Sequence, residues 1–292
     1  MFDINFIPHP LVGTPYGAAL DLCIVFIICC YISAVVTRRY EWVDRLWSVC
    51  PPIYCLLVAA ETGFESPRIN LMTALVVLWG VRLTYNFAIK GGYGKGGEDY
   101  RWPVVRERMK PWQIQVFNAT FLAPGQMLLI WWFTAPVHVA WENENMAAPL
   151  NWLDYTAAIV FALALIGETV ADRQMSVFQE DKKRRIAAGE PVEQGFFTGG
   201  LYQYSRHPNY FCELAMWWCF YWFAIAASGD IFSWTAGGFI VLTASFLGST
   251  PLGEQISLSK YPDYAKYQAE KPRMIPFTGL GKIRGGAETG RS

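Results

Sequence analysis

Seven stretches of the chain run apolar with few charged positions inside them: 18–36, 46–60, 71–89, 117–140, 152–170, 211–227 and 232–248. A helix crosses the hydrocarbon core of a bilayer with about 20 mostly apolar residues. The runs show no strict alternation of polar and apolar positions, and they are longer than ordinary strands. The pattern predicts an all-α fold, a polytopic membrane bundle of about seven transmembrane helices. The second run is the shortest and holds Pro51 and Pro52, so it is predicted to be kinked or only partly inserted.

The basic residues alternate with these runs. The first, third and fifth connections and the C-terminal stretch hold 22 of the 24 Lys and Arg. The second connection holds Arg68 alone, and Arg82 lies inside the third run. The fourth connection, with Glu142 and Glu144, and the sixth, near Asp230, hold none. By the positive-inside rule, the basic connections and the C-terminus face the cytoplasm and the N-terminus faces outside. The expected host is a bacterial inner membrane, a reading taken from the family resemblance described below.

Composition agrees with a membrane protein. Hydrophobic residues make up 53% and charged residues 16%, and the 13 Trp suit a chain with two lipid–water interfaces. Net charge is zero, so nothing points to nucleic acid. The seven Cys all lie in apolar runs and none forms a C-x-x-C pair, so no disulfide framework and no metal site is expected. Positions 1–17 lack the Lys or Arg of a signal peptide. A single transmembrane domain over 1–277 is expected, with a flexible Gly-rich tail over 278–292.

Ionisable residues inside apolar runs are costly and usually face an interior cavity. Here they gather near the predicted cytoplasmic ends. Asp44 precedes the second run, and Arg82 lies well into the third. Glu168 and Asp172 close the fifth, four residues apart and so on one helix face. Glu213 opens the sixth, while Asp21 reads as interfacial near the outer end of the first. The segment Gly200-Leu-Tyr-Gln-Tyr-Ser-Arg206-His207-Pro208-Asn209-Tyr-Phe-Cys-Glu213 is the densest polar stretch at the mouth of a run. Arg206 and His207 suit phosphates, and Asn209 suits an amide or ribose edge. An interfacial belt of Tyr and Arg is the plainer alternative. The run Lys90 to Gly97 spells G-x-G-x-x-G, but it follows a membrane helix rather than a strand. It reads as a flexible loop, with Lys90, Lys95 and Arg101 as a conceivable anion site.

The Gly200 to Glu213 segment, with Tyr261-Pro-x-Tyr-x-x-Tyr267, Ile275-Pro-Phe277, Val43-Asp-x-x-Trp47 and Glu98-Asp-Tyr-Arg-Trp102, resembles the steroid 5-alpha-reductase C-terminal domain superfamily. Within it, the DUF1295 branch is the nearest match, over about residues 40–277, with the reductase-like motifs in about 150–277. The resemblance implies a multi-span enzyme that uses NADPH to reduce a conjugated C=C bond of an apolar, steroid-like or lipid substrate. It implies cofactor contacts at Arg82, Asp172, Asn209 and Glu213. Glu168 stands where the reductases carry an Asn contact. The substrate half of the pattern departs. The reductases' Gln-Glu pair is replaced by Val43-Asp44-Arg45, their span-three Tyr by Trp79, and their His-rich stretch after the last run by Ser249 to Glu254.

In such a reduction, negative charge builds on a carbonyl oxygen after hydride reaches the β-carbon, and a donor must meet it. Asp44, protonated through burial, and Tyr85, one turn from Arg82, are the candidate catalytic donors. Two other classes remain. The isoprenylcysteine and phospholipid methyltransferases share an Arg-His-Pro-x-Tyr approach to a membrane helix and bind S-adenosylmethionine. A non-enzymatic transporter or lipid-binding protein predicts ionisable residues through the full membrane depth, rather than at one end.

Overall fold

The computed structural model describes residues 11–94, 107, 109–143, 149–192 and 194–278. Among these the chain is all helix and turn, with no strand. Seven helical stretches are long and apolar enough to cross a membrane: Pro15–Thr37, Trp42–Glu61, Pro67–Ile89, Pro111–Thr134, Trp152–Ala188, Pro208–Ser228 and Ala236–Lys260. The chain is a polytopic membrane helical bundle.

Local chemistry starts the helices. The α1 helix (Pro15–Thr37) opens with Pro at its first position, and the Thr14 hydroxyl accepts from Gly17 N at 2.9 Å. The α4 helix (Pro67–Ile89) opens the same way, with Ser66 accepting from Ile69 N at 3.2 Å. Both devices satisfy amides that a helix leaves unpaired at its start.

Span two is broken, but not at its prolines. Its two pieces are α2 (Trp42–Trp47) and α3 (Cys50–Glu61), parted at Ser48–Val49. Pro51 and Pro52 sit in the first turn of α3, where a missing N–H costs nothing because that amide has no helical partner anyway. The break is held against α4 at Gly80. A Cβ there would lie 2.6 Å from Ser48 O and 2.5 Å from Pro52, so only glycine lets the two segments approach this closely.

Span four runs through α5 (Pro111–Phe117), a π-helical turn (Asn118–Leu122) and α6 (Ala123–Thr134). Pro124 stands two residues beyond the end of the π turn and cannot donate to the carbonyl four residues back. The extra residue in the turn carries the chain past that defect. The short α7 (Pro136–Glu142) ends the outer part of the run.

Span five is far longer than its apolar run. The α8 helix (Trp152–Ala188) has 37 residues, about 55 Å at 1.5 Å per residue, against a hydrocarbon core of about 30 Å. The α9 (Pro208–Ser228), α10 (Ala236–Lys260) and α11 (Tyr264–Glu270) helices complete the fold, with Pro251 inside α10.

The chain divides into two compact units whose boundaries fall inside α8, α9 and α10. One comprises residues 1–161 and 217–242, the other 162–216 and 243–292. No composition shift marks these boundaries, which is why the sequence reads as one domain. The first unit has an aromatic core. Trp217 meets Trp79 edge-on at 5.0 Å and Phe133 at 4.2 Å. Trp79, which stands where the resemblance implies a Tyr, is fully buried there. Asp21, near the start of α1, is fully buried as well.

Part of the glycine-rich run is a built turn rather than a loose loop. Gly91 takes φ 81°, and Gly92 N donates to Phe87 O at 2.9 Å, which closes the end of α4. Tyr93 packs on Phe87 at 5.0 Å, and Arg39 donates to Gly94 O at 3.2 Å. Lys95, Gly97, the 98–102 stretch and the tail beyond Thr278 lie outside the described residues.

Candidate functional site

In the second unit, the segment after Gly199 is anchored residue by residue. Gly200 takes φ 53°, and a Cβ on it would run into Gln174 at 2.2 Å. Freed of that clash, the Gln174 side chain accepts from Leu201 N at 2.9 Å. Ser205 donates to Met274 O at 2.7 Å, Arg206 N donates to Pro272 O at 3.0 Å, and Tyr204 packs on Phe277 at 5.1 Å. Tyr267 donates its hydroxyl to Tyr202 O at 2.5 Å. The three motifs of this unit, around 200–213, 261–267 and 275–277, are therefore one structure.

Its centre is Glu254. One oxygen accepts from Arg206 Nε at 2.7 Å and the other from Arg206 Nη2 at 3.1 Å, a two-pronged pair. His207 Nε2 lies 3.1 Å away, and Gln268 donates at 3.1 Å. The remaining Arg206 nitrogen donates to the carbonyls of Gln268 and Lys271 at 2.8 and 2.5 Å. Glu254 and Arg206 are both largely covered. This corrects the expectation that Arg206 meets a phosphate, since its donors are committed to the protein. His207 shares the same carboxylate and stacks on Tyr210 at 5.1 Å. Both residues position the start of α9. Glu254 was missed because the apolar run was drawn to end at Gly248, whereas α10 continues to Lys260.

Beside this clamp lie the residues expected to hold a cofactor. Glu168 and Asp172 are buried on one face of α8, and Glu213 is buried on α9. The two helices approach closely at this level: a Cβ on Gly167 would lie 2.9 Å from Cys212 Sγ. Asn209 is half-buried at the second position of α9. Tyr202 faces the same group. Burial first, then the nearby Asp172, Tyr267, Tyr210 and Glu168, holds its hydroxyl well above the usual tyrosine value. Buried carboxylates beside a side-chain amide present acceptors for hydroxyls and an amide edge for a carboxamide.

Asp44, Arg82 and Tyr85 belong to the other unit. Asp44 is half-buried in the first turn of α2, and Arg82 is half-buried in α4. Tyr85 is 67% exposed on α4 and is the less enclosed of the two candidate donors.

Comparison with known proteins gives a family without a described activity. Residues 30–271 match the family described as "Protein of unknown function (DUF1295)". An uncharacterized protein of Schizosaccharomyces pombe is 32% identical over 286 residues, which cover 94% of this chain and 83% of the relative. That relative, from fission yeast, lends no support to a bacterial inner membrane. No solved structure matches.

Proposed function

We propose, from the premise that the chain belongs to the DUF1295 family, that it is a membrane-embedded NADPH-dependent reductase of a conjugated C=C bond in an apolar molecule. The observation that carries the reading is the set of buried carboxylates Glu168, Asp172 and Glu213 where α8 and α9 approach closely, with Tyr202 near the first two and half-buried Asn209 one turn before Glu213. A bundle of apolar helices suits an apolar substrate, and the protein is at home in a lipid bilayer.

The residues fit one end of the cofactor. Asp172, Glu168 and Glu213 are acceptors for ribose hydroxyls, and the Asn209 amide pairs with a carboxamide. Arg206 is tied up in the clamp, so within this unit the phosphates fall to the exposed Arg173 beside Asp172. NADPH, when bound, supplies the hydride. The chain orients it, excludes water and provides a donor for the carbonyl oxygen on which charge develops.

The test is thermal unfolding of the detergent-purified protein with NADPH or with S-adenosylmethionine. A ligand at 100 times its dissociation constant stabilises by about 2.7 kcal/mol. NADPH is expected to raise the unfolding temperature, and Asp172→Asn and Asn209→Ala are each expected to remove the rise. A rise with S-adenosylmethionine instead would move the protein to the methyltransferase class. No rise with NADPH, or a rise that both variants keep, defeats the reductase reading.

A further inference from the structure

The π turn of span four has a consequence for what the protein binds. Ile114, Asn118 and Leu122 form the buried stripe of this segment, while Ala119, Thr120 and Phe121 are exposed. Asn118 is thus the polar member of an inward-facing apolar row, and it is 2% exposed. Its backbone carbonyl is used, accepting from Ala123 N five residues on. Its side-chain nitrogen is buried and has no hydrogen-bond partner among the described residues. One turn earlier, Gln115 donates through Nε2 to the Tyr40 hydroxyl at 2.9 Å, and its Oε1 is buried without a partner among the described residues. Residues three apart on a helix lie on neighbouring positions of one face. A π turn inside a transmembrane helix and a buried amide donor beside a buried amide acceptor are independent features, and they fall in the same place. π turns of this kind recur at functional sites. Unpaired polar atoms in an apolar interior cost stability, so they are kept where something else pairs with them.

We propose that Asn118 and Gln115 form the seat for a hydroxyl group on an apolar ligand. The hydroxyl accepts from Asn118 Nδ2 and donates to Gln115 Oε1. A ketone or an ester has no proton to give and leaves the Gln115 oxygen unpaired, and a hydrocarbon pairs with neither atom. The π turn is the device that rotates the amide inward, and the apolar row on either side contacts the ligand's skeleton. The inference deepens the reductase reading, on which it rests for the ligand being the substrate: the molecule reduced carries an alcohol as well as the reducible bond.

The experiment uses the full-length protein in detergent with 1-hexadecanol, farnesol and cholesterol, each beside the hydrocarbon of the same skeleton. At least one alcohol is expected to raise the unfolding temperature by about 3 °C more than its hydrocarbon. Asn118→Leu is expected to erase that difference, to leave the ligand-free protein as stable as the wild type or more so, and to keep the NADPH shift. Gln115→Leu repeats the comparison should Asn118→Leu fail to fold. The proposal is overturned if none of the three alcohols differs from its hydrocarbon, or if the difference survives both substitutions. It is also overturned if both ligand-free variants lose stability, which would make the amides packing elements of the turn. Because the NADPH shift is read separately, loss of the alcohol effect and loss of the reductase reading are told apart.

Discussion

Arg68 and Asp154 form a buried, two-pronged ion pair between the start of α4 and the start of α8. Arg68 Nε and Nη2 donate to the two carboxylate oxygens at 2.8 and 2.9 Å, and Asp154 is fully covered. Asn151 N donates to the same carboxylate at 2.8 Å. Spans three and five therefore begin on the same side, as the alternation of basic connections requires. Removing one partner strands a buried charge, which costs about 3–5 kcal/mol. Arg68→Ala and Asp154→Ala are expected to lower the unfolding temperature sharply, and Arg68→Met with Asp154→Leu to recover most of the loss. Single variants within about 1 kcal/mol of the wild type would show that the pair is dispensable.

Glu254 should behave as the fastener of the second unit. In Glu254→Gln a neutral amide replaces the carboxylate between Arg206 and His207 and brings donors where acceptors are needed. Limited proteolysis is the readout, since the clamp ties the 264–278 segment to the motif. Cleavage in that segment should accelerate in Glu254→Gln and in Arg206→Lys, whose single ammonium cannot make the two-pronged pair. Cleavage at the wild-type rate in both would contradict the assignment.

Two glycines give opposite expectations. Gly80→Ala drives a Cβ into Ser48 O and Pro52 and should cost about 1–3 kcal/mol. Gly248 lies inside α10 with nothing near a Cβ. Gly248→Ala should be neutral or stabilising by about 0.5–1 kcal/mol, through helix propensity and a less free unfolded chain. Chemical or thermal unfolding of both variants decides, and equal effects would discredit the close approach of α4 to the span-two break.

Alkaline pH should loosen the second unit. Burial raises the Tyr267 hydroxyl above its ordinary value, and Tyr202 shifts the same way. In the unfolded chain tyrosines ionise near pH ~10. The stability from keeping them neutral is fully present below that pH and falls as pH rises from there toward the folded values. Tyr267→Phe should flatten the decline above pH ~10 and lower stability by about 1 kcal/mol at neutral pH, from the lost bond to Tyr202 O. An alkaline profile identical to the wild type would remove Tyr267 from this account.

Orientation is testable directly. A reporter inserted after Asn143, at the end of α7, is expected on the non-cytoplasmic face, because its connection carries Glu142 and no basic residue. A cytoplasmic signal there would reverse the topology.

The number and placement of the spans were legible in the sequence. So was much of the polar group on α8 and α9. Transfer of an apolar run into a bilayer is close to a sum over residues, helix caps act within one turn, and Glu168 and Asp172 share a face by spacing alone. What the sequence could not supply was partnership. Arg68 read as a stray basic residue until Asp154, 86 positions on, appeared beside it. Arg206 read as a phosphate ligand until Glu254, 48 positions on, took up its donors. A guanidinium looks the same in sequence whether it is bound to a ligand or to a distant carboxylate, because the balance of desolvation and pairing is settled only by what the fold brings within 3 Å. The break in span two and the inward turn of Asn118 are of the same kind. Pro51 and Pro52 announced irregularity in the second run, but the position it took depended on the approach of Gly80, and the π turn ahead of Pro124 in the fourth run was seen only in the fold.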